Sequence, residues 1–197
     1  MAATAATRQR KKAGIRYTRT RSITWIGGGT PPIDCHVSGR AGYVGDPFTI
    51  TGLPSGSLRS RKAVEHHVRS AIEAAGFHAS REVLVDVFAD TRIKGMTGPL
   101  ELAMVLMTLS ATGQIQPVDW PTLIVGYVDR DGGFNSCGED LAQGVYLKAR
   151  EMPDHQLICP KRLLDRMPIN RQFKHMPIGL RHLRDLHTLR VFQEPLG

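Results

Sequence analysis

The stretch Phe48-Thr49-Ile50-Thr51-Gly52-Leu53-Pro54 joins a β-prone run to a tight turn. Gly52 can adopt a positive φ at no steric cost, and Pro54 has no amide hydrogen for further strand pairing. Apolar residues then recur at helical spacing from Leu58 to Ala75, and Gly76 ends the pattern. This part of the chain therefore predicts a strand, a turn and an amphipathic helix.

Outside this unit, the chain predicts strands first and then alternating helices and strands. Residues Ile15 to Ile26 favour β structure, and Ile33 to Val37 is expected to pair with Pro47 to Thr51 in an antiparallel layer. The later elements are predicted strands at Val83 to Phe88, Leu123 to Asp129 and Gln156 to Cys159, and predicted helices at Pro99 to Thr112, Glu139 to Glu151, Arg162 to Arg166 and Leu180 to Leu189. This order predicts an α+β or mixed α/β domain of two layers.

The net charge of +8 is concentrated at the two ends of the chain. Counted on the sequence, residues 1–21 carry +7, residues 161–197 carry +5, and the segment between them carries −4. The N-terminal cations are Arg8, Arg10, Lys11, Lys12, Arg16, Arg19 and Arg21. A basic arm attracts phosphate by counterion release without reading a base sequence, and it is equally typical of a solubilising disordered tail. The sequence therefore predicts these residues as candidate nucleic-acid contacts.

Several classes of protein are disfavoured by what the sequence lacks. No apolar run reaches the length of about 18 residues that a membrane span needs, so a soluble cytoplasmic protein is expected. Three cysteines without a C-x-x-C pair indicate reduced thiols rather than a disulfide or zinc framework. No Walker A loop, H-E-x-x-H motif or G-x-S-x-G elbow occurs. We therefore expect neither a cofactor nor a metal.

Two clusters resemble metal sites in composition but have an ordinary explanation. The pair His66-His67 lies on a predicted helix, where adjacent side chains point about 100° apart and do not converge on one ion. Turn chemistry and the positive end of the following helix account for four carboxylates around a glycine-rich turn. These carboxylates are Asp129, Asp131, Glu139 and Asp140.

From about residue 33 to residue 189, the chain resembles the N-terminal, ChlI-like domain of the magnesium-chelatase-like AAA+ ATPases of the YifB/ComM family. The residues that carry the resemblance are Phe48-Thr49-Ile50-x-Gly52-Leu53-Pro54, Val68-Arg69-x-Ala71-Ile72 with Gly76-Phe77, Leu102-Ala103 with Ala111-Thr112-Gly113-Gln114-Ile115, Val125-Gly126 with Gly132, Leu157-Ile158-x-Pro160, and Gly179-Leu180-x-x-Leu183. The resemblance implies the two-layer α+β sandwich of ribosomal protein S5 domain 2, which is also the fold of the Lon proteolytic domain.

The same resemblance implies where a catalytic residue would stand. Lon-type proteases use a serine in a Gly-Pro-Ser-Ala-Gly setting, activated by a lysine of the next helix. The Gly98-Pro99 match places Leu100 at the nucleophile position, whereas an ungapped alignment places Gly98 there. The position of the lysine falls near Val145, and the nearest lysine is Lys148. Thr97 is the nearest hydroxyl residue that could pair with Lys148 as a substitute nucleophile. We therefore predict no catalytic residue.

The resemblance implies a fold rather than an activity, since the Walker motifs of the family's ATPase module are missing. The expected organisation is a disordered basic arm at 1–14, the Lon-like domain at 15–160, and a basic helical extension at 161–197. The expected function is a non-catalytic binding domain in bacterial DNA processing, or an accessory to an AAA+ ATPase partner. The alternatives are a protein-binding regulatory module without nucleic-acid contact and a truncated relic of such an ATPase.

Overall fold

The computed structural model describes residues 17–24, 31–42, 48–54, 60–79, 82–88, 96–116, 121–135, 139–168, 173–189 and 192. The strands are β1 (Tyr17–Thr24), β2 (Ile33–Ala41), β3 (Thr49–Thr51), β4 (Val83–Phe88), β5 (Thr122–Ile124), β6 (Gln156–Pro160) and β7 (Ile178–Leu180). The helices are α1 (Arg61–Ala74), α2 (Glu101–Ala111), α3 (Glu139–Glu151) and α4 (Lys161–Leu164), with 3₁₀ turns at Gly98–Leu100 and Leu183–His187. The predicted mixture of helices and strands is confirmed.

The strands form one sheet of order β3-β4-β2-β1-β5-β6-β7. Strand β2 runs antiparallel to both of its neighbours, β1 and β4, and the other pairings are parallel. The predicted pairing of Ile33 to Val37 with Pro47 to Thr51 is wrong, because β4 lies between the strands that contain these segments. Helix α1 carries the chain from β3 to β4, and this crossover allows the later strand to insert beside β2.

Helices pack on both faces of the sheet. On one face, α1 and α2 cover a cluster that includes Val37, Ile50 and Val85. On the other face, α3 and α4 pack with Ile23, Leu123 and Leu157. The β2–β4 side therefore has two layers, but α3 and α4 add a third layer on the opposite face at the β5–β7 side, so the predicted two-layer sandwich is not confirmed for the domain as a whole. The periodicity of apolar residues in α3 predicts that the helix is amphipathic. It does not predict on which face of the sheet the helix packs.

The turn after β3 explains why the Gly-Leu-Pro stretch has its composition. Gly52 has a φ of +69°, and a Cβ atom at this position would lie 1.9 Å from the carbonyl oxygen of Val87 in β4. The backbone N–H of Ile50 donates to Glu65 Oε1 of α1 at 3.0 Å, and Ser60 caps the start of the same helix. Glycine is therefore required both by the backbone conformation and by the close approach of two strands.

Part of the N-terminal prediction lies outside the described residues, namely the arm at 1–14 and the cations Arg8, Arg10, Lys11, Lys12 and Arg16. Arg19 and Arg21 belong to β1, in the middle of the sheet. Among the helices that the structure describes, none has the length and apolar character needed to cross a membrane.

Candidate functional site

The two positions that the sequence resemblance aligns with a Lon nucleophile, Leu100 and Gly98, are both closed by packing. The side chain of Leu100 is fully buried in the core below α2. A Cβ atom on Gly98 would lie 2.0 Å from Cε1 of Tyr127, so that a serine there would collide with the aromatic ring. Thr97, at the start of the same 3₁₀ turn, is only 5% exposed. Neither aligned position offers a nucleophile to solvent.

Lys148 of α3 is held by two carboxylates. Its Nζ atom lies 2.9 Å from Asp34 Oδ2 and 2.9 Å from Glu151 Oε2. Partial burial by itself lowers the pKa of Lys148, but the hydrogen bonds to Glu151 and Asp34 outweigh this effect and raise it overall. A lysine that acts as a general base needs a lowered pKa. The environment of Lys148 is therefore that of an ion-pair partner.

The two described cations of the predicted arm lie on a polar face of the sheet. Cys35 and Val37 of β2 point into the core below α1 and α2. Because side chains alternate along a strand, His36 and Arg40 point to the opposite side. Arg21 is paired with His36 and Arg19 with Ser38, so both arginines share this side. We call the face formed by Arg19, Arg21, His36, Arg40 and Phe88 the polar face.

The register of the strands places three different side chains of the polar face in one row. Phe88 of β4 lies opposite His36 of β2, which in turn lies opposite Arg21 of β1. Neighbouring strands are about 4.8 Å apart, so the row is about 10 Å long. Phe88 is 57% exposed, and Nδ1 of His36 is buried without a hydrogen-bond partner in the part of the chain described. The row therefore combines an exposed aromatic ring, a partly exposed imidazole and a guanidinium group.

Burial, with a further contribution from nearby charge, keeps the histidine of the polar face neutral. Burial lowers the pKa of His36 most, and Arg19 and Arg21 lower it further, against the opposing effect of Asp34. The pKa of His155, which follows α3, is lowered by burial and then by Arg21. Both rings are therefore held in the uncharged form near neutral pH, and the positive charge of the face comes from arginine.

The carboxylates next to the polar face are already engaged. Asp86 of β4 accepts a hydrogen bond from the hydroxyl of Thr51, and Asp34 is bound to Lys148. Arg19 is exposed at the other end of the row that contains Asp86. The charge of the face therefore changes from acidic near β3 to basic at β1.

The clusters that resemble metal sites have structural roles where they are described. Asp131 Oδ1 accepts the backbone N–H of Gly133 at 2.9 Å, which is the predicted turn chemistry. His66 is exposed, whereas His67 is buried with Nε2 2.6 Å from the carbonyl oxygen of Val128. The side chains of Glu139 and Asp140 lie outside the described residues. Within the described residues, no group of three or more His, Cys, Asp or Glu is placed to hold a metal ion.

A comparison of the chain with models of known protein families gave no match, and a comparison with curated proteins gave none either. The function is therefore inferred from the side chains of the polar face. Sequence reasoning named Arg19 and Arg21 but missed His36, Arg40 and Phe88. The alternation of Asp34 and His36 with Cys35 and Val37 is a period-two signal that indicates a polar face on β2.

Proposed function

We propose that this protein is a non-catalytic, Lon-like binding domain that contacts nucleic acid through the polar face. It would act in bacterial DNA processing or as an accessory to an AAA+ ATPase in the cytoplasm. The observation that carries the proposal is the position of Arg19 and Arg21, which lie on an ordered strand beside His36 instead of in an unattached tail. Two arginines whose backbones are fixed in a strand can bind successive phosphates with less loss of conformational entropy than arginines in an unattached tail.

The aromatic part of the polar face favours single-stranded nucleic acid. Non-specific binders of single strands combine basic side chains along the phosphate backbone with aromatic rings on which bases stack. Phe88 supplies the exposed ring, and it lies two strands away from Arg21. His36 lies between them in the same row, and its ring is partly exposed although its Nδ1 atom is buried.

Removing both guanidinium groups should weaken binding to a fluorescein-labelled oligothymidine. The double variant Arg19→Gln/Arg21→Gln is expected to lose roughly tenfold in affinity at low salt. The slope of log K against log salt should decrease in magnitude by about 1.4, since each lost contact with a single strand removes about 0.7. Fluorescence anisotropy at several salt concentrations measures both quantities.

The matched control is Arg61→Gln/Arg130→Gln, which removes the same charge from two exposed residues away from the polar face. Equal weakening by the two double variants would show that only net charge matters and would overturn the assignment of the face. A deletion that extends beyond Tyr17 is a poorer test, because it removes part of β1. This strand pairs with both β2 and β5, so its loss would disturb the sheet itself. A deletion of residues 1–14 keeps the strand and isolates the contribution of the predicted arm.

The proposed lack of catalysis has its own test. We expect the purified protein to release neither phosphate from ATP nor peptides from casein, with the same background rates for Lys148→Met and Thr97→Val. The physical reason is that Lys148 is held in the charged form by Asp34 and Glu151. An activity that either substitution abolished would contradict the proposal, whatever the outcome of the nucleic-acid experiment.

A protein-binding module remains the second candidate, and the exposure of Phe88 favours it. An exposed phenyl ring next to the edge strand β3 is a suitable anchor for a partner surface. Phe88→Ala should weaken binding of the oligothymidine by about 1–3 kcal/mol if bases stack on the ring. No binding of the oligothymidine by the unmodified protein, together with saturable and Phe88-dependent binding of a purified AAA+ ATPase, would favour this second candidate.

A further inference from the structure

A second site of a different kind lies at the carboxyl ends of the parallel strands. A cavity of about 510 Å³ is formed by the end of β6, the following helix α4, the end of β7 and the hairpin around Gly133. In sheets with parallel strands, ligands bind preferentially outside the carboxyl ends of the strands. The volume lies within the range of about 300–1,000 Å³ that is typical of pockets for small molecules.

The charges that line this cavity do not cancel. Its cations are Lys161, Arg162 and Arg181, and its carboxylates are Asp129 and Asp165. Lys161, at the start of α4, is paired with Asp165, which follows the helix. Arg162 and Arg181 are both exposed and form no ion pair with the residues that the structure describes. The cavity is therefore lined by two arginines outside the pair of Lys161 and Asp165, against the single further carboxylate of Asp129.

Part of the cavity wall is apolar. Phe134 belongs to the hairpin, where Val128 and Phe134 form an isolated β-bridge, and its ring packs partly against the core. Pro160 and Leu180, at the ends of β6 and β7, complete this side of the cavity. The cavity can therefore hold a flat apolar group next to an anionic group.

The hairpin is fixed in place, so the cavity is preformed. The backbone N–H of Leu183 donates to the carbonyl of Gly132 at 2.8 Å, and that of Asp129 donates to the carbonyl of Gly133 at 2.8 Å. Asp185 Oδ2 accepts the backbone N–H of Arg181 at 2.7 Å. These bonds hold the segments that carry Asp129, Phe134 and Arg181, which reduces the entropy lost when a ligand binds.

We propose that this cavity binds a small organic phosphate with a flat apolar body. A phosphate monoester carries a charge of about −1.5 to −2 at neutral pH and accepts several hydrogen bonds, which suits two guanidinium groups. Arg162 and Arg181 bind the phosphate, and Phe134 contacts the apolar body. Asp129 limits the affinity by repulsion. This site is separate from the polar face and does not depend on the function proposed for it.

Phenyl phosphate is the probe that tests the proposal, with inorganic phosphate and phenol as its two fragments. Titration of ¹⁵N-labelled protein followed by NMR should give a dissociation constant of about 1 mM or below for phenyl phosphate. The shifts should centre on the amides of Gly133, Phe134, Arg162 and Arg181. Both fragments should bind at least about tenfold more weakly. Absent binding, shifts centred elsewhere, or equal affinity for inorganic phosphate would overturn the proposal.

Three substitutions distinguish a specific binding site from a general attraction of anions to positive charge. Arg181→Ala should weaken binding of phenyl phosphate by about tenfold, because one charge-assisted hydrogen bond is lost. Arg130→Ala removes the same charge from the neighbouring hairpin, at a residue that does not line the cavity, and it should leave the affinity within about twofold. Asp129→Asn should tighten binding severalfold, a gain that damage to the fold cannot produce. Equal losses in Arg181→Ala and Arg130→Ala, or weaker binding in Asp129→Asn, would overturn the proposal.

Discussion

Replacing Gly52 by alanine is expected to lower the free energy of unfolding by more than about 3 kcal/mol, or to prevent folding altogether. The φ of +69° alone costs an L-residue about 1–2 kcal/mol. The larger cost comes from the new Cβ, which would lie 1.9 Å from the carbonyl oxygen of Val87. Val87 belongs to β4, which is paired on both sides, so its backbone cannot move away without loss of ladder hydrogen bonds.

Gly42 provides the matched control for this prediction. Its φ is +84°, but a Cβ atom there would meet nothing within 4 Å. Gly42→Ala should therefore cost only about 1–2 kcal/mol, the conformational part of the effect. Urea denaturation of both variants, followed by circular dichroism, measures the two losses. Similar losses would show that the close contact with Val87 is relieved at little cost, contrary to the prediction.

Glycine is required at position 52 both by the positive φ of the turn and by the close contact with Val87. These two requirements differ in how far they can be predicted from the sequence. The turn is predictable because glycine before leucine and proline, after a β-prone run, is a local pattern. The contact with Val87 is a consequence of β4 inserting between β2 and β3. A period-two pattern specifies the face of a strand but not its partner. For this reason the strand segments were predictable, whereas the neighbours of β2 were not.

The same limit applies to the polar face. Arg19 and Arg21 stand in a run of positive charge, which is typical of an unattached arm, although they alternate with β-prone threonines. Their place in the sheet depends on the parallel pairing of β1 with β5, a contact between residues far apart in sequence. Phe88 is predictable as part of a strand, but its exposure depends on α3 covering the other half of the sheet. Residues that share a site across several strands are therefore visible only once the register is known.

A buried polar group at the start of α2 should be the second position with a large effect on stability. Glu101 is 3% exposed, and its Oε2 atom accepts the backbone N–H of Val128 at 3.1 Å. The same oxygen lies 3.6 Å from Nε2 of His67, which donates to the carbonyl of Val128 at 2.6 Å. Glu101 thus joins α1, α2 and the chain that follows β5, in a place where water cannot replace it.

Glu101→Ala is expected to lower the free energy of unfolding by about 3–5 kcal/mol, since it leaves a buried N–H without an acceptor and also removes a partner of His67. Glu101→Gln keeps the shape and one oxygen acceptor, and should cost only about 1–2 kcal/mol. Urea denaturation with an unchanged m-value gives both losses. Equal losses in the alanine and glutamine variants would mean that the negative charge of Glu101, and neither its volume nor its hydrogen bond to Val128, determines the effect.

A double-mutant cycle with His67→Ala then decides whether the two side chains act as one network. If they do, the double variant Glu101→Ala/His67→Ala should be more stable than the sum of the single losses predicts, by about 0.5–3 kcal/mol. The physical reason is that each single variant leaves the other polar group buried with one partner fewer, and this cost is avoided when both are removed. Strict additivity would show that Val128 binds each side chain independently, and Glu101 would then act through its hydrogen bond to Val128 alone.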